Sequence, residues 1–278
     1  MFIVCAFYRS SSEFLPSASL RLWQEFKPAK DQLYFHCEMR RGFARYRKKE
    51  PEVEQLLRKD TSFQSIGLLA QKVVWEFHQN VDLLTEDDGV NEISQRLKLE
   101  EQSEEIQRRI YKIIDNYRQK PFLLGKQQLQ IQRGDEGYPD PILMSSGDYK
   151  FNLYASFDCS FLESENEIHI LDFKTGDSPP DKRQAYVYLL AAQKLFPQHS
   201  AIASFYNLET QIWSEPIQAS PEYLECVLIE LVLLSKKCTE ERQLYRHNSE
   251  QFAKLFPPNP GKRCNNCTFK SICSYSEN

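Results

Sequence analysis

An α/β fold is what this chain predicts, and three observations carry the prediction. Apolar residues recur at helical spacing through roughly the first 120 residues. Beyond Pro121 the period shortens toward two, with a Gly-, Pro-, Asp- and Ser-rich loop between apolar stretches. Strand, helix and strand then follow in order over residues 168–207, the unit that builds a sheet covered by helices. The 278 residues are expected as one domain: a helical part at 1–120, a core at 121–218, and a C-terminal helix with a cysteine cluster at 219–278.

Each element has its own signal. Ser17 or Ser19 can cap a short helix through Phe26, which Pro28 ends. Residues 31–49 read as a second helix, its end basic with Arg40, Arg41, Arg45 and Arg47, and aromatics interleaved. Residues 63–84 carry an apolar stripe, among them Ile66, Leu69, Val73 and Phe77. An acidic turn with Gly89 precedes one long charged helix, or a helix pair, over 91–118. Strands are expected at 123–132, 150–161 and 168–173, with 134–147 a loop. A helix at 181–196, strands at 201–207 and 210–217, an apolar helix at 223–237 and a short one at 247–255 complete the series.

Composition excludes several classes. A net charge of −4 and a pI near 5.9 rule out a uniformly basic nucleic-acid coat, so any DNA contact must use local patches. No apolar run is long enough to span a bilayer, and no basic segment leads the short apolar start, so a cytoplasmic setting is expected. No P-loop occurs, so the chain is not itself an ATPase or helicase. Eight cysteines then need explaining in a reducing compartment, where disulfides are rare.

The chemistry concentrates between Ala155 and Tyr188. Asp158 lies in one apolar stretch, and Asp172 ends the next, two residues before Lys174. Gln184 and Tyr188 share a helix face four residues apart. An unpaired carboxylate among apolar neighbours is costly, which argues for a bound cation. Two carboxylates suit a hard divalent ion such as Mg²⁺ or Mn²⁺. Such an ion activates water and neutralises phosphate charge, and a lysine stabilises what develops.

These residues resemble the PD-(D/E)XK nuclease superfamily, and within it the RecB-type branch. Ala155 through Asp158 is similar to its GxxD segment, with alanine for glycine. Leu171 through Gly176 matches its hydrophobic strand ending D-x-K-T-G, and Gln184 through Tyr188 matches Q-x-x-x-Y. The resemblance implies a restriction-endonuclease-like core, a mixed central sheet flanked by helices, inside an N-terminal helical wrap. It also implies that Asp158 and Asp172 bind the cation, with the Phe173 carbonyl as a further oxygen ligand. Lys174 would face the phosphate or the attacking water, Gln184 would orient the lysine or a phosphate, and Tyr188 would pack at the site. One departure stands out. The branch carries a metal-ligating histidine in a G-x-x-h-H frame; Gly67 through Gln71 has that frame with glutamine. Glu76 and His78, further along the same helix, are possible substitutes.

Cys264, Cys267 and Cys273 form a metal pattern, C-x2-C with a third thiol close behind. AddB-like and CRISPR-associated exonuclease-like members have a similar triad after the core, with a fourth cysteine near the N-terminus, around a [4Fe–4S] cluster. Here lysine, Lys27, stands where their N-terminal cysteine is expected, so Cys37 is the first candidate for the fourth ligand and Cys5 the second. Zn²⁺ is the alternative occupant, since spacing alone does not separate the two. Cys159, Cys226 and Cys238 are expected as buried free thiols. The expected activity is hydrolysis of DNA, in single strands or at ends, with Arg40, Arg41, Arg45 and Arg47 as candidate backbone contacts and a helicase or other repair or CRISPR subunit as a possible partner. The rival is a DNA-binding or assembly subunit that keeps fold and cluster without catalysis.

Overall fold

Helical periodicity becomes helix wherever it is uninterrupted by an extended or left-handed residue. The computed structural model describes residues 13–16, 26, 36–59 and 62–276. The expected helix before Pro28 lies outside these residues apart from Phe26, as does the candidate ligand Cys5. A short strand, β1 (Glu13–Leu15), comes first. The helix expected over 31–49 is α1 (Glu38–Tyr46), and α2 (Pro51–Lys59) starts afresh on a proline, which suits a first helical turn. The stripe at 63–84 is α3 (Ser62–Gln79), broken at the extended Asn80 before a single 3-10 turn at Val81–Leu84. The 91–118 stretch is a pair, α4 (Gly89–Arg96) and α5 (Glu104–Gln119), because Lys98 takes a left-handed φ of 52° between them.

The strands fall into two sheets. β2 (Gln127–Ile131), β5 (Cys159–Ser164), β6 (Glu167–Lys174), β7 (Ser200–Asn207) and β8 (Ile212–Trp213) pair in the order β2-β5-β6-β7-β8. β3 (Ile142–Ser146) and β4 (Tyr149–Leu153) join β1 in the order β1-β4-β3. Three expectations are corrected here. The 134–147 loop contains β3. The single strand at 150–161 is two strands in different sheets, β4 and β5. The alternation had no reason to stop between them, since Leu153, Ala155 and Phe157 all stay buried through the crossover. The 210–217 strand shrinks to β8 plus one isolated pairing of Ile217 with Ala203.

β6 and β7 run parallel, so a crossover must join them. It is α6 (Lys182–Leu195), capped by the Asp181 carboxylate accepting from the Arg183 amide at 3.0 Å. Alternation along β6 then divides the interior. Ile168 and Ile170 face a core with α6 and α7 (Pro221–His247), while Leu171 faces a second core built from α3, α4 and α5. α7 runs well beyond the expected 223–237, because its last turns still find partners on α1: Tyr46 donates to Glu241 at 2.7 Å, and Arg41 pairs with the same carboxylate at 2.6 Å. Cys159 and Cys238 are buried as expected; Cys226 is exposed, on the solvent side of α7.

A third, smaller core ties the chain's two ends. Met39, Phe43 and Val53 meet Phe252 of α8 (Phe252–Leu255), Phe256 and Phe269. The approach of α1 to this cluster needs a residue without a side chain: a Cβ on Gly42 would stand 2.6 Å from Phe256 Cγ. Gly42→Ala is therefore expected to destabilise by about 1–3 kcal/mol despite alanine's better helix propensity. A thermal melt at or above the wild-type midpoint would show that the aromatic cluster yields freely.

Candidate functional site

The central pair of carboxylates is set by strand register. β5 and β6 are antiparallel, with Cys159 opposite Leu171. Carried one step further, that register sets Asp158 across from Asp172 on the same face. The link is made by the backbone: Phe173 N–H donates to Asp158 Oδ2 at 2.6 Å. Phe173 thus meets the pair through its amide N–H. Lys174 follows Asp172 by two, so the strand's period brings its ammonium to the same face, where it is ion-paired with Asp172.

Helix α6 closes the site from the side. Gln184 Nε2 donates to Asp172 Oδ1 at 2.7 Å, and Lys174 Nζ donates to Gln184 Oε1 at 3.0 Å. An ammonium only donates and a carboxylate only accepts, so these two neighbours fix which way the amide points. Tyr188, one turn on, accepts from Gln184 at 2.6 Å and donates to Asp172 Oδ1 at 2.9 Å. Its ring packs edge-on against Phe157 at 5.3 Å between centroids. Asp172 is only 4% exposed. Its Oδ1 takes both donors, and its Oδ2 has no hydrogen-bond partner beyond the lysine ion pair.

The electrostatics of this pair call for a cation. Burial, then the adjacent Asp172 charge, raises the Asp158 carboxyl well above the ordinary carboxylate range. Burial and the same two carboxylates raise the Tyr188 phenol too, keeping it a neutral donor. Two oxygen-rich groups that repel in the free protein, one with an oxygen lacking a hydrogen bond, fit a hard divalent ion.

The Thr175–Gly176 turn is held by groups the sequence did not flag. Gly176 has a φ of +74°, a conformation few side chains tolerate. Its N–H donates to Glu209 Oε1 at 3.1 Å, and its carbonyl accepts from Asn207 Nδ2 at 2.7 Å. Glu209 is in turn bridged to Arg109 of α5, both nearly buried. No short motif links Arg109 or Glu209 to Lys174 along the chain; folding alone brings them together. Beside this turn a cleft of about 300 Å³ opens from Lys174 toward the sheet edge at β8.

The other predicted residues lie outside that network. Gln71 donates to the Gln132 carbonyl at 3.2 Å and crowds Gly134, which sits at a φ of +93°. Gln132 N–H donates to the Asp158 carbonyl at 2.9 Å, so Gln71 stands one backbone removed from the pair and bonds to neither carboxylate. Glu76 pairs with Arg96, and His78 is bonded to Tyr117 and Gln128. Of the basic residues on α1 and just beyond its end, Arg41 is committed to Glu38 and Glu241, and Arg47 to Glu50 and the rings of Phe43 and Phe252. Arg45 is half-buried, and Arg40 is exposed.

Cys37, Cys264, Cys267 and Cys273 line one small cavity beside the third core, together with Met39 and Phe269. Among the described residues, no three His, Cys, Asp or Glu side chains close on a single point. The shared cavity is nonetheless chemically distinctive: burial, and then the charges of Cys37, Cys267 and Cys264, push the Cys273 thiol up. Four cysteines around one cavity, one of them disfavoured as a free thiolate by burial, suit a cationic centre that binds thiolates.

The model of the PD-(D/E)XK nuclease superfamily matches residues 32–274. No curated protein matches the chain. Among solved structures, the crystal structure of SSO0001 is similar at 14% identity and a TM-score of 0.30, over 77% of this chain and 86% of its own, which is too distant to carry an argument.

Proposed function

The chain belongs to the PD-(D/E)XK nuclease superfamily, and from that premise we propose that it is a Mg²⁺- or Mn²⁺-dependent nuclease of the RecB type, acting on single-stranded DNA or DNA ends. The observation that supports this best is the opposed Asp158 and Asp172 with Lys174 bound into the same network. Asp158 and Asp172 would hold the cation. When bound, it supplies charge neutralisation at the scissile phosphate and an acidified water. Lys174 offers its ammonium to a non-bridging phosphate oxygen, and Gln184 keeps that ammonium aimed. Tyr188 holds Asp172 Oδ1, and Oδ2, which faces the Lys174 ammonium, would be the oxygen offered to the cation. Arg40, exposed on α1, is the best placed of the four arginines to meet the strand. An end-labelled oligonucleotide incubated with Mg²⁺ or Mn²⁺, and with a chelator, tests this: a protein that binds the strand but cleaves it in neither metal overturns it.

Cys37, Cys264, Cys267 and Cys273 would hold a [4Fe–4S] cluster, with Zn²⁺ the alternative. The shared cavity supports a metal there. Its role in this reading is to tie α1 to the C-terminal turns, around the small aromatic core.

One observation favours the non-catalytic reading. Gln71 donates its side-chain N–H to the Gln132 carbonyl, which leaves only a neutral amide oxygen at that position to offer as a third ligand. Gln71→His is expected to lower the Mn²⁺ concentration needed for cleavage about tenfold, since imidazole binds a transition-metal ion better than a neutral amide does. Unchanged metal dependence would show that this position does not reach the ion. Binding without cleavage by wild type and this variant alike would favour an assembly role.

A further inference from the structure

The cleft next to Lys174 is unused by the chemistry described so far. Phe205, almost fully buried, carries the Lys174 ammonium 5.1 Å from its ring centre. Ile212, 64% exposed on the edge strand β8, forms another wall, and Pro179 and Pro180 a third. Proline fixes its own φ, so the two give this wall a set shape. The inner polar side chains are already spent. Asn207 donates to the Gly176 carbonyl and accepts from the Glu209 and Thr210 amides. The Ser214 hydroxyl accepts from the Phe205 amide and donates to the Glu215 carbonyl. The cleft therefore presents a mainly apolar interior with one ammonium at its mouth, and the remaining polar side chains of its lining, Asp177, Ser178 and Thr210, are exposed to solvent.

We infer that this cleft is a subsite for one unstacked base of the DNA strand, the base beside the phosphate that Lys174 meets, held by apolar contact without choice of sequence. The inference rests on the nuclease reading of Lys174. A phosphate at the ammonium leaves its neighbouring nucleoside within reach of a cavity of this size, about 300 Å³. Every base has an apolar face, so the wall made by Phe205, Ile212 and the two prolines holds all four alike, while Asp177, Ser178 and Thr210 stay exposed to solvent. A base stacked in a duplex does not enter, which makes a single strand or a frayed end the required substrate.

A set of labelled single strands, each with an abasic position one place further along, tests this. Binding is measured by fluorescence anisotropy in Ca²⁺, and cleavage separately in Mg²⁺. One abasic position is expected to weaken binding about fivefold, with less than about a twofold effect of base identity at that place. Ile212→Ala, on an exposed edge residue, should bring the intact strand down toward the abasic one and leave the abasic strand unchanged. Uniform binding across the set overturns the subsite even where cleavage proceeds. A strong preference for one base overturns the apolar hold. Positional loss of binding without cleavage in any metal keeps the subsite and removes the nuclease reading. A protein that binds no strand overturns both.

Discussion

Asp158→Asn is expected to abolish the proposed metal-dependent cleavage, by about a thousandfold or more, and to leave the metal-free protein at least as stable as the wild type. The two effects share one cause. In the free protein Asp158 is pressed against Asp172 in a buried site, and its carboxyl is raised by burial first and by that charge second. A carboxyl raised in the folded state contributes stability that is complete below the ordinary carboxylate range and is lost as pH rises through the raised value. The neutral amide of the variant has no such loss, so its advantage over wild type grows toward neutral and alkaline pH. The Phe173 N–H keeps an acceptor in the amide oxygen. Metal reverses the order: at a hundred times its Kd, a bound ion stabilises the wild type by about 2.7 kcal/mol, and the variant hardly at all. Lys174→Ala makes the contrast. It also removes cleavage, yet it strips the ammonium from Asp172 while both carboxylates remain, so the metal-free melting point falls by roughly 5 °C. Melting curves with and without Mn²⁺ check all three proteins. An Asp158→Asn protein that melts well below wild type without metal, or gains as much from Mn²⁺, would show that the pair does not share a cation.

Cys267→Ser is expected to remove the proposed metal from the cysteine site and to lower the melting point on the order of 10 °C. Among the described residues the third core has six buried apolar residues, Met39, Phe43, Val53, Phe252, Phe256 and Phe269, a small core to hold two distant chain segments by burial alone. A metal bound by Cys37 on one segment and by Cys264, Cys267 and Cys273 on the other turns binding free energy into folding free energy. Protein purified without oxygen is expected to be brown, with about four irons per chain. Colourless protein with one zinc would make the site a zinc site with the same structural role. Protein carrying neither metal, and melting alike with Cys267→Ser, would overturn the metal site.

The helices and the candidate catalytic strand were legible because their signals are local. The α3 stripe, the period-two run into Asp172 and the step to Lys174 depend on neighbours a few residues away, and those neighbours stay on one face in the folded protein. The four-residue spacing of Gln184 and Tyr188 likewise put both on one helical face, and both reach Asp172. What local pattern did not settle is where an alternating run changes sheet: burial continues from Leu153 to Phe157 although the pairing partner changes from β3 to β6.

By itself the sequence determined an α/β order, a D-x-K strand end and a thiol cluster, since each is written in residue type and short spacing. Only the tertiary structure decided what those parts meet. It set Asp158 opposite Asp172 through a register between strands, and pinned Gly176 with Glu209, Arg109 and Asn207 drawn from other elements. It also tied Gln71 to a backbone carbonyl and Arg41 and Arg47 to carboxylates. The physical reason is that a polar side chain's role is set by its cheapest available partner. In a folded chain that partner usually comes from a segment far along the sequence.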